Sequence, residues 1–180
     1  MTNTNGGTPS SSLIRIALAG NPNCGKSTIF NELTGSQQHV GNWPGKTVEK
    51  KSGIYLVGTT TLEVIDLPGT YSLTAYSIEE IIARDFLLNE KPDVVVSVID
   101  ATNLERNLYL TVQLLELGIP VVVNLNMADM AESRGIHIDI PRLSQALQSP
   151  IVTTVASEGK GIQALVEAIL DVTGRHTHAS

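Results

Sequence analysis

The stretch Gly20-Asn21-Pro22-Asn23-Cys24-Gly25-Lys26-Ser27 decides the fold of this chain, because it fits the pattern G-x-x-x-x-G-K-[ST] of a phosphate-binding loop. The apolar run 13–19 before it favours a strand, and residues 27–33 after it favour a helix. Backbone N–H groups at the start of such a helix bind phosphate, since they lack partners in the helix and the helix dipole attracts anions. The sequence therefore predicts a nucleotide site between a strand and a helix.

The residue types within this loop have distinct predicted roles. Gly20 and Gly25 allow backbone angles and a close approach that a Cβ would prevent. Lys26 is expected to reach the β- and γ-phosphates, and the Ser27 hydroxyl is expected to bind Mg²⁺. A phosphatase loop of the form C-x5-R is excluded, because Phe30 stands where its arginine would be. The predicted nucleotide contacts here are Gly20, Asn21, Pro22, Asn23, Cys24, Gly25, Lys26, Ser27 and Thr28.

A second motif, Asn126-Met127-Ala128-Asp129, follows the apolar run 121–125 and predicts a loop that reads guanine. The Asp129 carboxylate can accept hydrogen bonds from N1–H and from the exocyclic amino group of guanine, whereas adenine presents no such pair of donors. A site built on these bonds rejects the wrong base, because its buried polar groups would be left unpaired. Asn126 is expected to bridge the base and the phosphate loop, with Met127 beside it.

Two further segments complete the predicted site. Asp66-Leu67-Pro68-Gly69 follows the apolar run 62–65, and an aspartate at such a strand end holds Mg²⁺, often through water. The Gly69 N–H is expected to sense the γ-phosphate. The stretch 156–161 is similar to the guanine-supporting pattern S-A-x-x-G-x-G, with Val155 in the serine position and the Ala156 N–H facing the guanine O6. The predicted contacts of this loop are Val155, Ala156 and Ser157.

The composition describes one ordinary globular domain. The chain has 180 residues, of which 42% are hydrophobic and 17% charged. A net charge of −6 argues against a nucleic-acid partner bound by bulk electrostatics. The single cysteine excludes an internal disulfide and fits a reducing compartment. No apolar run approaches the ~20 residues that span a membrane.

Strand-like and helix-like patterns alternate along the chain, which predicts an α/β fold: a six-stranded, mainly parallel sheet with helices on both faces. A hairpin turn at 58–60 adds one antiparallel edge strand. The predicted strands are 14–19, 53–57, 62–66, 94–100, 121–125 and 151–155. The predicted helices are 26–33, 77–88, 104–117, 141–147 and 162–170. Residues 1–12 are expected to be disordered, 13–172 to form the nucleotide-binding domain, and 173–180 to be a flexible tail whose His176 and His178 are solvated rather than metal ligands.

The segment Val40-Gly41-Asn42-Trp43-Pro44-Gly45, followed by Thr47-Val48-Glu49-Lys50, leads to a family. Together with Gly20-Asn21-Pro22-Asn23 and the stretch 66–73, it closely resembles the cytosolic G domain of FeoB-type ferrous iron transporters. The resemblance covers residues 13–170. It implies a Ras-like P-loop GTPase that binds GTP or GDP.

The resemblance implies further site residues. Thr47 corresponds to the first-switch threonine that binds Mg²⁺ and the γ-phosphate, with Gly45 and Lys46 beside it. Thr70 stands where Ras-like proteins carry the glutamine that orients water, so another charge must stabilise the transition state. In the family this charge is K⁺. The implied K⁺ ligands are Asn23 and the carbonyls of Gly41 and Trp43; the Mg²⁺ ligands are Ser27, Thr47 and Asp66; and the catalytic set is Lys26, Asn23, Thr47 and Gly69.

The chain departs from the family at three points. Lys46 occupies a position that is usually apolar, and Val155 replaces a serine or threonine. Family members also continue into a helical regulatory domain and a membrane transport domain, and both are expected to be absent here.

The implied partners are those two domains, small cytosolic Feo accessory proteins and a second copy bound through the switch regions, but no nucleic acid. The fragment is expected in the cytoplasm, and the full-length protein at the cytosolic face of the bacterial inner membrane.

The resulting expectation is a GTP-binding, slowly hydrolysing switch that regulates ferrous iron uptake with the help of Mg²⁺ and K⁺. Two alternatives stay open at this point. One is another K⁺-dependent GTPase, acting in tRNA modification or ribosome assembly. The other is a non-catalytic module that senses GTP or GDP through occupancy alone.

Overall fold

A computed structural model describes residues 12–174, so the expectations for residues 1–11 and 175–180, including His176 and His178, lie outside the described residues. The strands are β1 (Ser12–Gly20), β2 (Gln38–Asn42), β3 (Glu49–Val57), β4 (Thr60–Asp66), β5 (Val94–Asp100), β6 (Val121–Asn126) and β7 (Ile151–Thr153). The helices are α1 (Lys26–Thr34), α2 (Ile78–Glu90), α3 (Leu104–Glu116), α4 (Ala128–Ser133), α5 (Ile140–Leu147) and α6 (Ile162–Val172). Short 3-10 turns occupy Ala101–Asn103 and Ala156–Glu158.

The strands form one sheet in the order β2-β3-β4-β1-β5-β6-β7. Strands β4, β1, β5, β6 and β7 run parallel, whereas β2 and β3 are antiparallel to their neighbours. The central strands β5 and β6 are almost wholly buried and rich in valine, as expected where helices cover both faces of a parallel sheet. The predicted α/β fold is therefore confirmed.

The sheet has one strand more than predicted, because the sequence analysis missed β2. All five of its residues are exposed, so it carries no apolar run from which a strand could be predicted. It exists because it pairs antiparallel with β3, from Gln38 opposite Gly53 to Asn42 opposite Glu49. The antiparallel edge thus consists of two strands instead of one. The two-residue turn between β3 and β4, with Gly58 at a φ of +56°, agrees with the predicted hairpin.

Two apolar layers sandwich the sheet. On one face α1 and α6 contribute buried side chains such as Phe30 and Val166. On the other, α2 and α3 contribute Phe86 and Leu110. No helix within residues 12–174 has both the length and the apolar character needed to cross a membrane. This packing fixes the carboxyl ends of β1, β4, β5 and β6 at a single edge, where the predicted nucleotide motifs lie.

A close approach between β3 and the end of α1 gives a test of the packing. A Cβ added to Gly53 would lie 2.6 Å from the Cβ of Thr34 and 2.7 Å from the carbonyl oxygen of Gln37. We expect Gly53→Ala to lower the free energy of unfolding by about 1–3 kcal/mol, because backbone must shift to relieve the contact. Urea denaturation measures this. Gly41→Ala in the neighbouring strand is the control, since its Cβ would meet no atom closer than 3.9 Å. An equal effect of both substitutions would contradict the packing argument.

Candidate functional site

The predicted motifs converge around a cleft at the carboxyl edge of the sheet. Backbone hydrogen bonds tie the segment after β4 to β1 and the phosphate loop: Leu67 N–H donates to the Leu18 carbonyl at 3.0 Å, and Thr70 N–H to the Gly20 carbonyl at 3.1 Å. The cleft has a volume of about 510 Å³. Its lining consists of Asn21, Pro22, Asn23, Gly25, Lys26, Ser27, Gly69 and Met127.

Gly25 gives the phosphate loop its shape. Its φ of +90° lies in the left-handed region that favours glycine, and it directly precedes α1. A Cβ at this position would lie 2.1 Å from Asn126 Nδ2. No side chain of the described residues caps the first turn of α1, so its N–H groups face the cleft as an anion-binding site.

Lys26, which lines this cleft, forms a buried ion pair with Asp66, in which Lys26 Nζ donates to Asp66 Oδ1. Each side chain is about 10% exposed. Both charges are compensated by this contact, as buried charges must be. The same two groups are suited to a nucleotide with its metal, because a lysine can exchange a carboxylate for phosphate oxygens and the released carboxylate is a hard oxygen ligand for Mg²⁺. The chemistry of these residues therefore fits a Mg²⁺–nucleotide complex.

Asn21 provides a second indication of a polar ligand. Its side chain is only 4% exposed, and neither its amide nitrogen nor its amide oxygen has a hydrogen-bond partner within residues 12–174. Asn21 lines the cleft described above and also a neighbouring cavity of about 220 Å³ on its α3 side. A buried amide without partners is costly, so this position is suited to a polar group or water that enters the cleft.

Asn126 connects the phosphate loop to the loop that contains Ala156. Its Nδ2 donates to the Cys24 carbonyl at 3.2 Å, and its Oδ1 accepts from the Ala156 N–H at 3.1 Å. The Ala156 N–H, which the sequence analysis assigned to the guanine O6, is thus held by Asn126 here. Met127 follows with a left-handed φ of +60°, and Asp129 is exposed in the first turn of α4. The motif lies beside the phosphate loop, as its spacing predicts.

Backbone hydrogen bonds shape the loop 155–160, in which Val155 stands in place of the serine of the guanine-supporting pattern. Val155 and Lys160 donate N–H bonds to each other's carbonyls at 3.1 Å. Between them lies the 3-10 turn that contains Ala156 and Ser157, and Lys160 pairs with Glu158 at 2.5 Å. The loop is thus closed by main-chain bonds, which do not require a serine side chain at position 155.

The segment 40–47, which the resemblance assigns to the first switch, lies on the α2 side of the sheet edge, away from the phosphate cleft. The Trp43 ring packs edge-on against Phe86, with ring centroids 5.6 Å apart, and Lys50 Nζ lies 4.7 Å from the Trp43 ring centroid. The Trp43 carbonyl accepts from the Lys46 N–H at 2.9 Å, and Gly41 is paired with Lys50 in the hairpin. Trp43 and Lys46 line a separate cavity of about 440 Å³ next to α2.

Three predicted residues of this segment, Gly45, Lys46 and Thr47, are not among the residues that line the phosphate cleft. The physical reason is the antiparallel pairing of β2 with β3, which ends in the turn that anchors Trp43 against α2. Contacts therefore join Asp66, Gly69 and Asn126 to the phosphate loop, whereas Trp43 and Lys46 line the cavity next to α2.

Sequence reasoning missed the contacts that hold the segment after Gly69. The Arg106 guanidinium of α3 lies over the Tyr71 ring in a cation–π contact, with its Cζ 4.4 Å from the ring centroid. The Glu80 carboxylate accepts from the Tyr76 N–H at 2.9 Å and from the Ser72 hydroxyl at 3.3 Å. The bond from Tyr76 contributes most to lowering the pKa of Glu80. The sequence does not show that Tyr71 meets Arg106, or that Glu80 meets Ser72 and Tyr76, because these contacts form only in the fold.

A family model described as Ferrous iron transport protein B matches residues 14–169. The chain belongs to this family. It is 52% identical over 160 residues to the Fe(2+) transporter FeoB of Escherichia coli strain K12, a match that covers 87% of this chain and 21% of that protein. The chain spans about one fifth of the length of the curated relatives it matches.

Solved structures of the family share the fold. The FeoB G-domain from Methanococcus jannaschii is 48% identical with a TM-score of 0.81, and the match covers 91% of this chain and 99% of that one. The cytosolic domain of the T. maritima FeoB iron transporter in its GMPPNP form is 44% identical with a TM-score of 0.86, covering 89% of this chain and 64% of that one. These neighbours establish the Ras-like G-domain fold that the resemblance implied.

The contact between Gly25 and Asn126 gives a first test of the site. Gly25→Ala adds a Cβ to a residue with a left-handed φ and forces it against Asn126 Nδ2. We expect the affinity for a fluorescent GDP analogue to fall at least about tenfold, because both loops must move. Gly118→Ala is the control: its φ is +76°, but its Cβ would meet nothing within 4 Å. Equal affinities of both variants would refute the role of the contact.

Cys24 gives a test of burial in the loop. Its thiol is buried, and burial raises its pKa to about 11 from the ordinary 9.0. The folded chain therefore keeps the proton that the unfolded chain releases first, so the stability due to this group is complete below pH 9 and is lost between pH 9 and 11. We expect the free energy of unfolding of wild type minus that of Cys24→Ser to decrease across this window in urea titrations. A difference that stays constant with pH would contradict the buried thiol.

Proposed function

We propose that this chain is the GTP-binding and GTP-hydrolysing switch domain of a ferrous iron transporter, where it regulates Fe(II) uptake. The observation that carries the proposal is that Asp66 pairs with Lys26 and Asn126 bonds to the Cys24 carbonyl, so both motifs join the phosphate loop in a chain that belongs to this family. A relative solved in its GMPPNP form, a GTP analogue, supports the choice of nucleotide.

The residues of the cleft divide the work of binding. The N–H groups at the start of α1 and Lys26 hold the phosphates, so Lys26 leaves Asp66 when a nucleotide enters. Asp66 becomes free to face the metal together with the Ser27 hydroxyl. Asp129 lies exposed at the mouth of the base loop, where its carboxylate can accept from the two N–H donors of guanine. Asn126 links the base loop to the phosphate loop.

Hydrolysis proceeds by in-line attack of water on the γ-phosphate. The Thr70 side chain has no amide group with which to orient that water. Its backbone N–H is already bonded to the Gly20 carbonyl. A Cβ added to Gly69 would lie 3.3–3.4 Å from atoms of Pro22, so Gly69 lies close to the phosphate loop, where its N–H can be directed to the γ-phosphate. Mg²⁺ at Ser27 and Asp66 and K⁺ at Asn23 would supply positive charge that stabilises the charge developing on the phosphate oxygens.

The proposed K⁺ role requires a movement of the first switch. Asn23 lines the cleft and offers an amide oxygen, a suitable hard ligand. For the carbonyls of Gly41 and Trp43 to join it, we propose that the hairpin leaves α2, where the Trp43 ring packs against Phe86. The same movement would bring Thr47 to the metal. Trp43 is therefore the proposed anchor of the inactive position, and slow hydrolysis is its expected consequence.

The proposal extends to partners and location. The chain corresponds to about one fifth of its relatives, so we place it at the cytosolic face of the bacterial inner membrane as part of a longer transporter. Its proposed partners are the helical and membrane domains of that transporter, small cytosolic Feo proteins and a second copy bound through the switches.

The test is GTP hydrolysis in KCl against NaCl at equal ionic strength, for wild type and Asn23→Ala. We expect K⁺ to accelerate turnover and Asn23→Ala to abolish the gain. Asn89→Ala on the exposed face of α2 is the matched control and should retain it. Equal turnover in both salts would refute the K⁺ mechanism. Binding of GTP without turnover in either salt would support the sensor alternative, and no binding of GTP would refute the whole proposal.

A further inference from the structure

Asn124 is a buried polar residue that the proposed function does not use. It lies in the middle of β6 between Val123 and Leu125, and its exposed fraction is 0%. An amide taken out of water is costly unless its hydrogen bonds are satisfied inside the protein, and an apolar side chain would fill this position at less cost. Its contacts therefore indicate what the residue contributes.

The Asn124 amide bonds to the residue that supports the base loop. Its Nδ2 donates to the Thr154 hydroxyl at 2.9 Å and to the Val152 carbonyl at 3.3 Å. Thr154 is itself only 2% exposed, and its hydroxyl lies 3.1 Å from Asn126 Oδ1. A threonine hydroxyl has a single proton, and two acceptors lie within its reach: Asn126 Oδ1 at 3.1 Å and Asn124 Oδ1 at 3.4 Å. The shorter distance favours Asn126, so the three side chains form a hydrogen-bonded relay that ends on Asn126.

The relay ends on an oxygen that already has a second donor. Asn126 Oδ1 accepts from Thr154 and also from the Ala156 N–H at 3.1 Å. If the Ala156 N–H turns to the O6 of guanine, Thr154 still satisfies Asn126 Oδ1. Without the Thr154 hydroxyl, the same turn would leave a buried oxygen unpaired. The relay thus lowers the cost of offering the Ala156 N–H to a nucleotide.

We propose that Asn124 and Thr154 are positioning residues that prolong the residence of guanine nucleotides, by keeping Asn126 satisfied while the Ala156 N–H binds the base. The inference rests on the proposed function, since it assumes that the cleft binds guanine. It assigns the retention of the base to a buried amide–hydroxyl pair behind the loop. The relay acts on the O6 side of the base only.

The test uses Asn124→Ala, Thr154→Val and Thr154→Ser. We expect dissociation of a fluorescent GDP analogue to accelerate about tenfold in Asn124→Ala and Thr154→Val, which corresponds to the loss of a buried hydrogen bond, with kcat at saturating GTP within about twofold of wild type. Thr154→Ser keeps the hydroxyl and should restore slow release. The double variant should be no faster than the faster single variant, because the pair acts as one unit.

A matched control separates positioning from general stability. Ser97 and Thr111 form another buried hydroxyl pair, 2.9 Å apart, between β5 and α3. Thr111→Val removes the same group from a comparable environment and should leave GDP release within about twofold of wild type. Equal acceleration in Thr111→Val and Thr154→Val would overturn the proposal, as would wild-type release in both Asn124→Ala and Thr154→Val. Should Thr154→Val fail to fold, Asn124→Ala and Thr154→Ser decide the matter.

Inosine diphosphate supplies a second readout that a loss of stability would not change. It keeps O6 but lacks the exocyclic amino group that Asp129 is proposed to read. We expect Asn124→Ala to weaken GDP and inosine diphosphate by the same factor, whereas Asp129→Asn should weaken GDP more. Unequal weakening by Asn124→Ala would overturn the assignment to the O6 side. If wild type binds neither nucleotide, the proposed function itself fails, a result distinct from wild-type binding with unaffected variants.

Discussion

The hydrogen bonds of one side chain hold the candidate site together. Asn126 fastens the phosphate loop through the Cys24 carbonyl and the last loop through the Ala156 N–H, so three segments far apart in sequence share one amide. This bond to the phosphate loop requires a residue without a Cβ at position 25, which the left-handed glycine supplies. The sheet determines where these loops meet, because parallel strands β1 and β6 present their carboxyl ends on the same edge.

Two further contacts hold neighbouring segments in place. The Lys26–Asp66 ion pair keeps the phosphate end compact and leaves both groups ready for a nucleotide and its metal. The Trp43–Phe86 contact keeps the first switch on α2, where its carbonyls are used by the hairpin turn. The Trp43 indole N–H has no hydrogen-bond partner among the described residues, so this packed position contains an unsatisfied donor, which is costly.

The sequence predicted the elements that carry strong local signals. The buried strands, the phosphate loop and the base motif could be located because apolar periodicity and short motifs depend on neighbouring residues only. Strand β2 could not be predicted, since its exposed residues become a strand only by pairing with β3. Tyr71 and Arg106 likewise meet only in the fold. Asn124 did give a signal, as the one amide inside the run Val121–Leu125, but its meaning depends on Thr154, 30 residues further on.

Buried polar groups of this kind are costly for stability but give a defined geometry in return. An apolar residue at position 124 would pack the core equally well, yet it would leave the Thr154 hydroxyl free to point its proton elsewhere. The loop around Val155 is closed by main-chain bonds, and Thr154 directly before it is held by Asn124. The amide in β6 lies beneath that loop, so the departure at position 155 and the unusual buried asparagine belong to the same structural arrangement. On the proposed role of this relay, affinity for the base depends partly on the core of the sheet and only partly on the residues that touch the nucleotide.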